Sequence, residues 1–402
     1  MSEWRETTLG AVCELKRGYD LPARERVAGG VPIVSSSGIT GYHSTAKVRG
    51  PGVVTGRYGT LGDVFFIVED FWPLNTALYV RDFKGNDPHF VAALLQSLDL
   101  GRNDGAAAVP GVNRNHLHLL PVLCPDTITQ RRIGLLLSTL DALIENNRRR
   151  TDLLEQMAQA IYREWFVCLR YPGHEDVTIV DSPLGPIPEG WEVQQLKKVS
   201  TVVRGRSYRK HELVESGGVP FINLKCMLRG GGFRRDGLKR YSGVYKADQR
   251  LNGGDIVLAV TDLTQGREIL ARATLVPRLA EDFGVISLDV SRIVPNEPDD
   301  RLALFFALRC TDFSDRVKEY ANGSTVLHLS PTHVAEGQIV WPPRELRRKF
   351  VEVVHAMVDQ VDELNDAGER LGVMRDLLLS KLVTGQIDVS DLDLDALSDS
   401  VA

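Results

Sequence analysis

The chain has 402 residues, of which 43% are hydrophobic and 25% charged, and a net charge of -5. These values are typical of globular proteins and leave room for two or three domains, so they exclude a wholly disordered chain. No stretch approaches the roughly 18 consecutive apolar residues of a membrane span, and the N-terminus lacks an apolar signal segment. The sequence therefore predicts a cytoplasmic protein without membrane attachment.

The sequence repeats itself once along its length. The matched pairs are Trp4 and Trp191, Leu9 and Leu196, Val12 and Val199, and Gly18 and Gly205 at a spacing of 187 residues, Pro32 and Pro220 at 188, and Asp141 and Asp359 at 218. The spacing widens along the chain, which indicates an insertion in the second copy. A repeat of this length predicts two similar globular units rather than a solenoid.

Each copy begins with short runs that are typical of β-strands. Gly52–Thr55 and Val64–Val68 in the first copy, and Ile256–Val260 in the second, are rich in Val and Ile and are bounded by Gly and Asp. Neither copy shows a regular alternation of strands and helices. The sequence therefore predicts two α+β units.

Each copy ends in a pattern that predicts a long helix. Apolar residues recur at alternating steps of three and four from Ile133 to Ile161 and from Phe350 to Leu382. Asn147 and Arg150 interrupt the first pattern, and Gly368 interrupts the second. The matched interruptions favour pairing of the two helices with each other over packing of each helix on its own domain. The predicted seam residues of this coiled coil are Leu140, Leu143, Leu154, Met157, Ile161, Val354, Met357, Val361, Leu364, Leu371 and Leu378.

Charge is distributed unevenly along the second half of the chain. Between Lys197 and Arg250, fourteen Lys or Arg residues stand against four acidic ones, a surplus that suits a phosphate backbone. On charge alone, solvated basic loops remain the simpler interpretation. The segment after Gly385 holds five Asp and no Lys or Arg, and a disordered end is its simplest interpretation.

The sequence lacks the common local signatures of catalysis. It has no Walker A loop, no Asn/Asp-Pro-Pro-aromatic run of a base methyltransferase, no His-Glu-x-x-His and no Gly-x-Ser-x-Gly. The nine His residues are scattered, and the five Cys residues form no Cys-x-x-Cys pair. We therefore expect a non-catalytic chain that binds no metal and no cofactor of its own.

Two globular units held by a helical spacer suit recognition of a two-part DNA site. Arg offers a bidentate fork for guanine, while Asn and Gln match the edge of adenine. The candidates for DNA contact in the first copy are Arg57, Tyr58, Thr60, Asn75, Asn113, Arg114 and Asn115. Those in the second copy are Arg204, Arg206, Tyr208, Arg209, Lys210, Asn223, Lys225, Arg234, Arg235, Thr261, Asp262, Thr264, Gln265, Arg267, Asn322, Ser324 and Thr325. For any one of these residues, an ordinary loop role is an equally simple interpretation.

Several segments resemble one family, the DNA specificity subunit (S subunit) of type I restriction-modification systems. Leu153–Val167 resembles the end of that family's central conserved helix, Ser182–Trp191 the entry to its second recognition domain, and Leu377–Gly385 the close of its distal helix. Three further segments resemble ones that recur in the family's recognition domains: Gly56–Gly62, Thr261–Gln265 and Asn322–Thr325. The resemblance covers essentially the whole chain.

The resemblance implies an α+β fold in which two globular α/β target recognition domains are separated by two long antiparallel coiled-coil helices. The predicted division of the chain is residues 1–125 for the first recognition domain, 126–170 for the central helix, 171–190 for a linker, 191–343 for the second recognition domain and 344–384 for the distal helix. Residues 385–402 form the acidic tail, which adds little to the resemblance and whose simplest interpretation is a disordered end.

The resemblance also implies a function without catalysis. Each recognition domain would read one half of a bipartite asymmetric site in double-stranded DNA. The helices would set the gap between the halves and dock two modification (methyltransferase) subunits, which would bind S-adenosylmethionine. Two restriction subunits, where a system includes them, would add translocation and cleavage that depend on ATP and Mg.

Two other functions are compatible with parts of the sequence. One is an enzyme that reads and modifies or cuts DNA by itself, which the missing cofactor and nuclease motifs disfavour. The other is a coiled-coil protein-interaction scaffold without sequence-specific DNA binding, which the basic stretch from Lys197 to Arg250 disfavours.

Overall fold

The structure is a computed structural model that describes residues 4–57, 62–98 and 113–392. Contacts divide the chain into a first unit, residues 1–148 with 366–402, and a second unit, residues 149–365. Each unit therefore combines one globular block with one part of each long helix. The linear division into six segments stays a prediction, since the first unit is made of two segments that are separate in sequence.

The two long helices predicted from the apolar spacing are confirmed. They run over Thr127–Tyr162 and Arg344–Leu382, and a π-helical turn, Arg163–Val167, continues the first. Asp126 precedes the first long helix and caps it, since its carboxylate accepts the backbone N–H groups of Ile128 and Thr129 at 2.9 and 3.0 Å. These bonds satisfy N–H groups that a helix end leaves free, and they lower the pKa of Asp126.

The two long helices contact each other within both units. In the first unit, Arg375 Nε lies 2.9 Å from Asp141 Oδ1, which joins the late part of the second helix to the early part of the first. In the second unit, Phe350 packs edge-on against Tyr162 with ring centroids 5.4 Å apart, which joins the opposite parts. This pattern of contacts is that of an antiparallel pair.

The described part of the first unit contains a small pair of strands, a four-stranded antiparallel sheet and a three-stranded sheet. In the order of bonded neighbours, these sheets comprise Arg5–Thr8 and Pro121–Cys124; Glu14–Arg17, Ala77–Asp82, Gly52–Gly56 and Val64–Ile67; and Gly38–His43, Val31–Ser35 and Trp72–Pro73. The short helices of this unit are Leu9–Val12, Pro88–Ser97 and Arg114–Leu117.

The core of the first unit lies between its four-stranded sheet and the helix Pro88–Ser97. Phe90 and Leu94 of this helix are buried in one cluster with Ile133 of the first long helix and Leu382 of the second. Val389 is buried in the same cluster, although it falls in the segment predicted to be a disordered tail. Apolar side chains between the aspartates therefore fix residues 385–392 to the core, and residues 393–402 lie outside the described residues.

The described part of the second unit repeats this architecture with additional strands. Its sheets comprise Glu192–Gln195 and Gln338–Trp341; Ser200–Arg204, Val290–Pro295, Ile256–Ala259 and Ala273–Leu275; Leu213–Val214, Lys239–Tyr241, Val219–Ile222, Gly284–Ile286 and Arg250–Leu251; Thr261–Asp262 and Leu327–His328; and Ile179–Val180 and Ile187–Pro188. Its short helices are Leu196–Val199, Arg301–Cys310, Phe313–Val317 and Pro331–Glu336.

The strand order confirms the internal repeat. The four-stranded sheets of the two units have the same order of strands along the chain and the same antiparallel pairing. In the second unit, the edge strands Leu213–Val214 and Arg250–Leu251 extend the neighbouring sheet to five strands. Of these two strands, Arg250–Leu251 lies after Pro220, where the spacing between the copies widens.

The segment predicted to be a linker packs into the second unit. Tyr171 and Ile187 are buried in a core that also contains Phe166, Trp191 and Phe350. The rings of Phe166 and Phe350 meet edge-on with centroids 5.2 Å apart. Because large aromatic rings bury much apolar surface, this cluster fixes the entry into the second copy to the helix pair.

Candidate nucleic-acid interface

In the first unit, the structure brings Arg57 and Asn75 to the same end of the four-stranded sheet. Arg57 follows the strand Gly52–Gly56, and its backbone N–H donates to the carbonyl of Thr76 at 3.0 Å. The amide nitrogen of Asn75 donates to the carboxylate of Asp20. Tyr58 and Thr60, predicted for the same loop, lie outside the described residues.

Asn113, Arg114 and Asn115 lie at the start of a short helix. The Asn113 side chain accepts the backbone N–H of Asn115 at 3.0 Å, so it caps the helix Arg114–Leu117. Arg114 and Asn115 are exposed. Among the described residues, this group forms no bond to the loop that contains Arg57. The candidate DNA-contacting surface of the first unit therefore consists of Arg57 and Asn75.

In the second unit, the corresponding loop follows the strand Ile256–Ala259. Asp262 is buried, and its carboxylate accepts bonds from the backbone N–H and the hydroxyl of Thr264, both at 2.8 Å, and from the backbone N–H of Ile269 at 3.3 Å. Thr261 is also buried, with its hydroxyl 3.3 Å from His328 Nδ1. Burial gives Thr261 and Asp262 a role in shaping this loop instead of the predicted DNA contact.

Two predicted second-unit loops are joined directly. Gln265 Nε2 donates to the carbonyl of Ser324 at 2.7 Å, and the short strands Thr261–Asp262 and Leu327–His328 pair beneath them. The side chains of Gln265, Ser324 and Thr325 are exposed. Asn322 donates to the carbonyl of Tyr320 at 3.3 Å, and Arg267 Nη1 lies 3.1 Å from Glu319. The structure thus gathers these residues into one polar surface.

The basic residues near the start of the second copy are divided by burial. Arg204, Arg209, Lys210, Lys225 and Arg234 are exposed, while Arg206, Tyr208 and Arg235 are half-buried. Tyr208 packs edge-on against Phe221 with centroids 4.9 Å apart, and burial raises its pKa. Arg234 is paired with Asp236 at 2.8 Å.

Asn223 has a structural role instead of the predicted DNA contact. It is buried, donates to the carbonyls of Phe221 and Gly237 at 3.2 and 2.9 Å, and accepts the backbone N–H of Lys225 at 2.9 Å. Because a buried amide must satisfy its polar atoms internally, this side chain is not available to a base edge.

Sequence reasoning missed Arg17 and Asp20, which lie beside Asn75. Arg17 Nη2 is 3.5 Å from Asp20 Oδ1, and both side chains are largely exposed. A signal was available in the repeat, since Gly18 and Gly205 both permit close backbone approach. A Cβ would lie 2.2 Å from the Leu74 carbonyl oxygen at Gly18, and 1.9 Å from that of Ser287 at Gly205.

The predicted seam residues differ in burial. Leu140, Val354 and Leu364 are buried, while Leu154, Ile161, Met357, Val361, Leu371 and Leu378 are half-buried. Leu143 and Met157 are 42% and 48% exposed, although residues of a coiled-coil seam are expected to be covered by the partner helix. Their positions lie on either side of the polar interruption at Asn147 and Arg150.

Within the described ranges, no group of three or more His, Cys, Asp or Glu residues could hold a metal ion. Among the same residues, no helix has the length and apolar character needed to cross a membrane. Cys13, Cys124 and Cys226 are buried free thiols, Cys310 is half-buried and Cys168 is exposed. Burial raises the pKa of Cys226 and of Cys310 to about 11.

Comparison with known families identifies the class of protein. The type I restriction modification DNA specificity domain matches residues 1–156 and 188–369, so each copy of the repeat carries one match. The chain belongs to this family.

Individual relatives share the family at low identity. The type I restriction enzyme MjaIX specificity subunit of Methanocaldococcus jannaschii is 22% identical over 289 residues, which is 72% of this chain and 65% of that protein. The HindI specificity subunit of Haemophilus influenzae is 20% identical over 469 residues, covering 96% of this chain and 100% of that protein. The chain thus spans slightly less than two thirds of the first relative and all of the second.

A solved structure has the same fold. The type I restriction-modification S subunit from M. genitalium aligns with a TM-score of 0.63 at 15% identity, covering 95% of this chain and 96% of that one. This agreement confirms the α+β fold with two repeated domains that the sequence predicts.

Proposed function

We propose that this chain selects the DNA target of a type I restriction-modification complex, with each unit reading one half of a bipartite asymmetric site. The observation that carries this proposal is the repeat of one backbone with different side chains. The end of the four-stranded sheet presents Arg57 and Asn75 in the first unit and the Gln265 and Ser324 loops in the second. Two similar readers with different side chains suit two different half-sites.

Exposed cations support contact with DNA by the second unit. Arg209, Lys210, Lys225, Lys239 and Arg250 are all exposed and lie within the basic stretch. Each cation near a phosphate releases counterions, so binding through this surface weakens as salt rises. A protein-binding scaffold would not show this steep loss of DNA affinity.

The long helices are proposed to set the gap between the half-sites and to dock two modification subunits. Each unit exposes an apolar patch on a long helix. In the first unit, the patch consists of Val373, Met374 and Leu377, which share one helix face. In the second unit, Leu153 and Met157 form the patch, again one helical turn apart. Exposed apolar groups of this kind are typical of interaction sites.

The chemistry is proposed to reside on the partners. Modification subunits would bind S-adenosylmethionine and methylate the DNA in the cytoplasm, and restriction subunits would use ATP and Mg. This chain would contribute recognition and orientation alone.

The proposal is tested by co-expressing the chain with its modification subunit in a host that lacks DNA methylation, and mapping the modified bases. We expect a single bipartite motif with a fixed gap. A host that expresses the modification subunit alone serves as the control and should show no such motif. A soluble, active complex that methylates no defined motif would contradict the proposal, and salt-insensitive DNA binding would favour a scaffold.

A further inference from the structure

The loop around Asn75 is held against the loop around Asp20 by the backbone. Gly18 N–H donates to the carbonyl of Ala77 at 3.1 Å, and Tyr19 N–H donates to that of Pro73 at 2.8 Å. Tyr19 and Leu74 form a parallel bridge. Since a Cβ at position 18 would collide with the Leu74 carbonyl, the glycine is what permits this approach. The register of the two loops therefore places Asp20 beside Asn75.

This contact fixes which way the Asn75 amide points. A carboxylate can only accept hydrogen bonds, so the amide nitrogen of Asn75 must face Asp20 and the amide oxygen must face away. An isolated Asn can turn its amide over, which exchanges donor and acceptor. Arg17 Nη2, 3.5 Å from the same carboxylate oxygen, offsets the negative charge of Asp20.

The second unit repeats the backbone of this site and lacks its side chains. Arg206 N–H donates to the carbonyl of Ile286 at 2.8 Å, Leu288 N–H donates to that of Arg206 at 2.7 Å, and Arg206 bridges Ser287 in parallel. Ser207 and Leu288 thus occupy the positions of Asp20 and Asn75. A leucine side chain has no polar atom that could contact a base edge. The carboxylate–amide pair of Asp20 and Asn75 is therefore specific to the first unit.

We infer that Asn75 reads an adenine in the half-site bound by the first unit and that Asp20 is the residue that positions its amide. This inference rests on the proposed function. With one amide hydrogen given to Asp20, Asn75 keeps one N–H donor and its oxygen acceptor. That pair complements N7 and the N6 amino group of adenine in the major groove. Asp20 itself need not touch DNA.

The test uses the complex of the full chain with its modification subunit. After the wild-type motif is mapped, methylation rates are measured on duplexes in which each A·T pair of the motif is replaced in turn. In Asp20→Ala and Asn75→Ala, we expect discrimination at one and the same adenine to fall by between about 5-fold and 100-fold, the range set by one bidentate base contact. Ser207→Ala, the counterpart in the second unit, should leave every position unchanged.

A conservative variant separates positioning from simple structural loss. Asp20→Asn keeps an oxygen that accepts from Asn75 and should retain most of the discrimination that Asp20→Ala loses. Asn75→Asp removes the donor to Asp20 and sets two carboxylates against each other, so it should lose the adenine discrimination as Asn75→Ala does. These two variants also serve if the alanine variants fail to fold.

Each result decides the matter. A wild-type motif whose discrimination is unchanged in all four variants at positions 20 and 75 overturns this inference and leaves the proposed function intact. A motif without any A·T pair, or a loss spread over both half-sites, overturns it as well. A wild-type complex that is active but shows no motif overturns the proposed function itself.

Discussion

Gln130 and Arg347 lie at the same position in the two long helices, three residues after the first residue of each, and make the same kind of contact. Gln130 Nε2 donates to the carbonyl of Pro125 at 2.9 Å, and its Oε1 accepts the backbone N–H of Asp87 at 2.9 Å. Arg347 donates to the carbonyl of Pro342 and forms two 2.8 Å bonds to the carboxylate of Asp300. Both side chains are buried, and each ties the start of a long helix to its globular block.

Replacing Arg347 should destabilise the second unit strongly. In Arg347→Met, the buried Asp300 carboxylate loses its partner, and we expect a loss of about 3–5 kcal/mol in the free energy of unfolding. Gln130→Met removes neutral bonds and should cost the first unit about 1–3 kcal/mol. Urea denaturation of each variant measures both effects. Arg344→Met is the control, since its pair with Glu297 at 3.8 Å is largely exposed; a similar loss there would contradict the argument.

Arg57→Ala should impair recognition of one half-site and leave assembly of the complex intact. Arg57 lies at the end of the strand Gly52–Gly56, where the first unit gathers its candidate residues. Loss of one base contact should raise the rate of methylation at mismatched sites, relative to the rate at the correct site, by roughly 5-fold to 100-fold. Methylation of duplexes with single replacements in each half-site measures the change. Arg24→Ala, an exposed arginine beside Glu25, is the control, and unchanged specificity and rate in Arg57→Ala would remove this residue from the site.

Introducing charges into the apolar patch of the first unit should prevent one modification subunit from binding. Val373 and Leu377 are 59% and 60% exposed, so Val373→Asp with Leu377→Asp should not unfold the chain, while a partner would have to bury two carboxylates. We expect the complex to retain one modification subunit in place of two, as measured by its mass in solution. Leu119→Asp, at an apolar position of the same unit that is 73% exposed, should keep both. Retention of both subunits in the double variant would reject the patch as a docking site.

The first unit should lose stability as the pH falls below the ordinary pKa of histidine. Leu15 N–H donates to His118 Nε2 at 2.9 Å, and burial lowers the pKa of His118 from 6.5. Because the unfolded chain takes up the proton first, this contribution is fully present above pH 6.5 and declines as the pH falls towards the lower folded value. Burial lowers the pKa of His89 too, which acts in the same direction.

The measurement is the free energy of unfolding at pH 7.5 and 5.5. His118→Gln keeps an acceptor but does not titrate, so its stability should depend less on pH. His116→Gln, at an exposed neighbouring histidine, should behave as the wild type. Equal pH dependence in all three proteins would show that His118 does not contribute.

The sequence by itself determined the repeat, the two long helices and the family. These features depend on order and periodicity: Trp4 and Trp191 mark the copies, and the apolar steps from Ile133 to Ile161 require a helix. Strands such as Gly52–Gly56 and Ile256–Ala259 also followed from local composition.

Only the tertiary structure decided which polar residues are free to act. Asn223, Thr261 and Asp262 carry side chains that suit DNA, yet neighbours distant in sequence or loop hydrogen bonds bury them. Asp20 becomes relevant because backbone pairing across more than fifty residues sets it beside Asn75. The burial of a side chain and the direction of an amide depend on contacts between segments that are distant in sequence. Such contacts form only in the folded chain, so a local sequence pattern does not predict them.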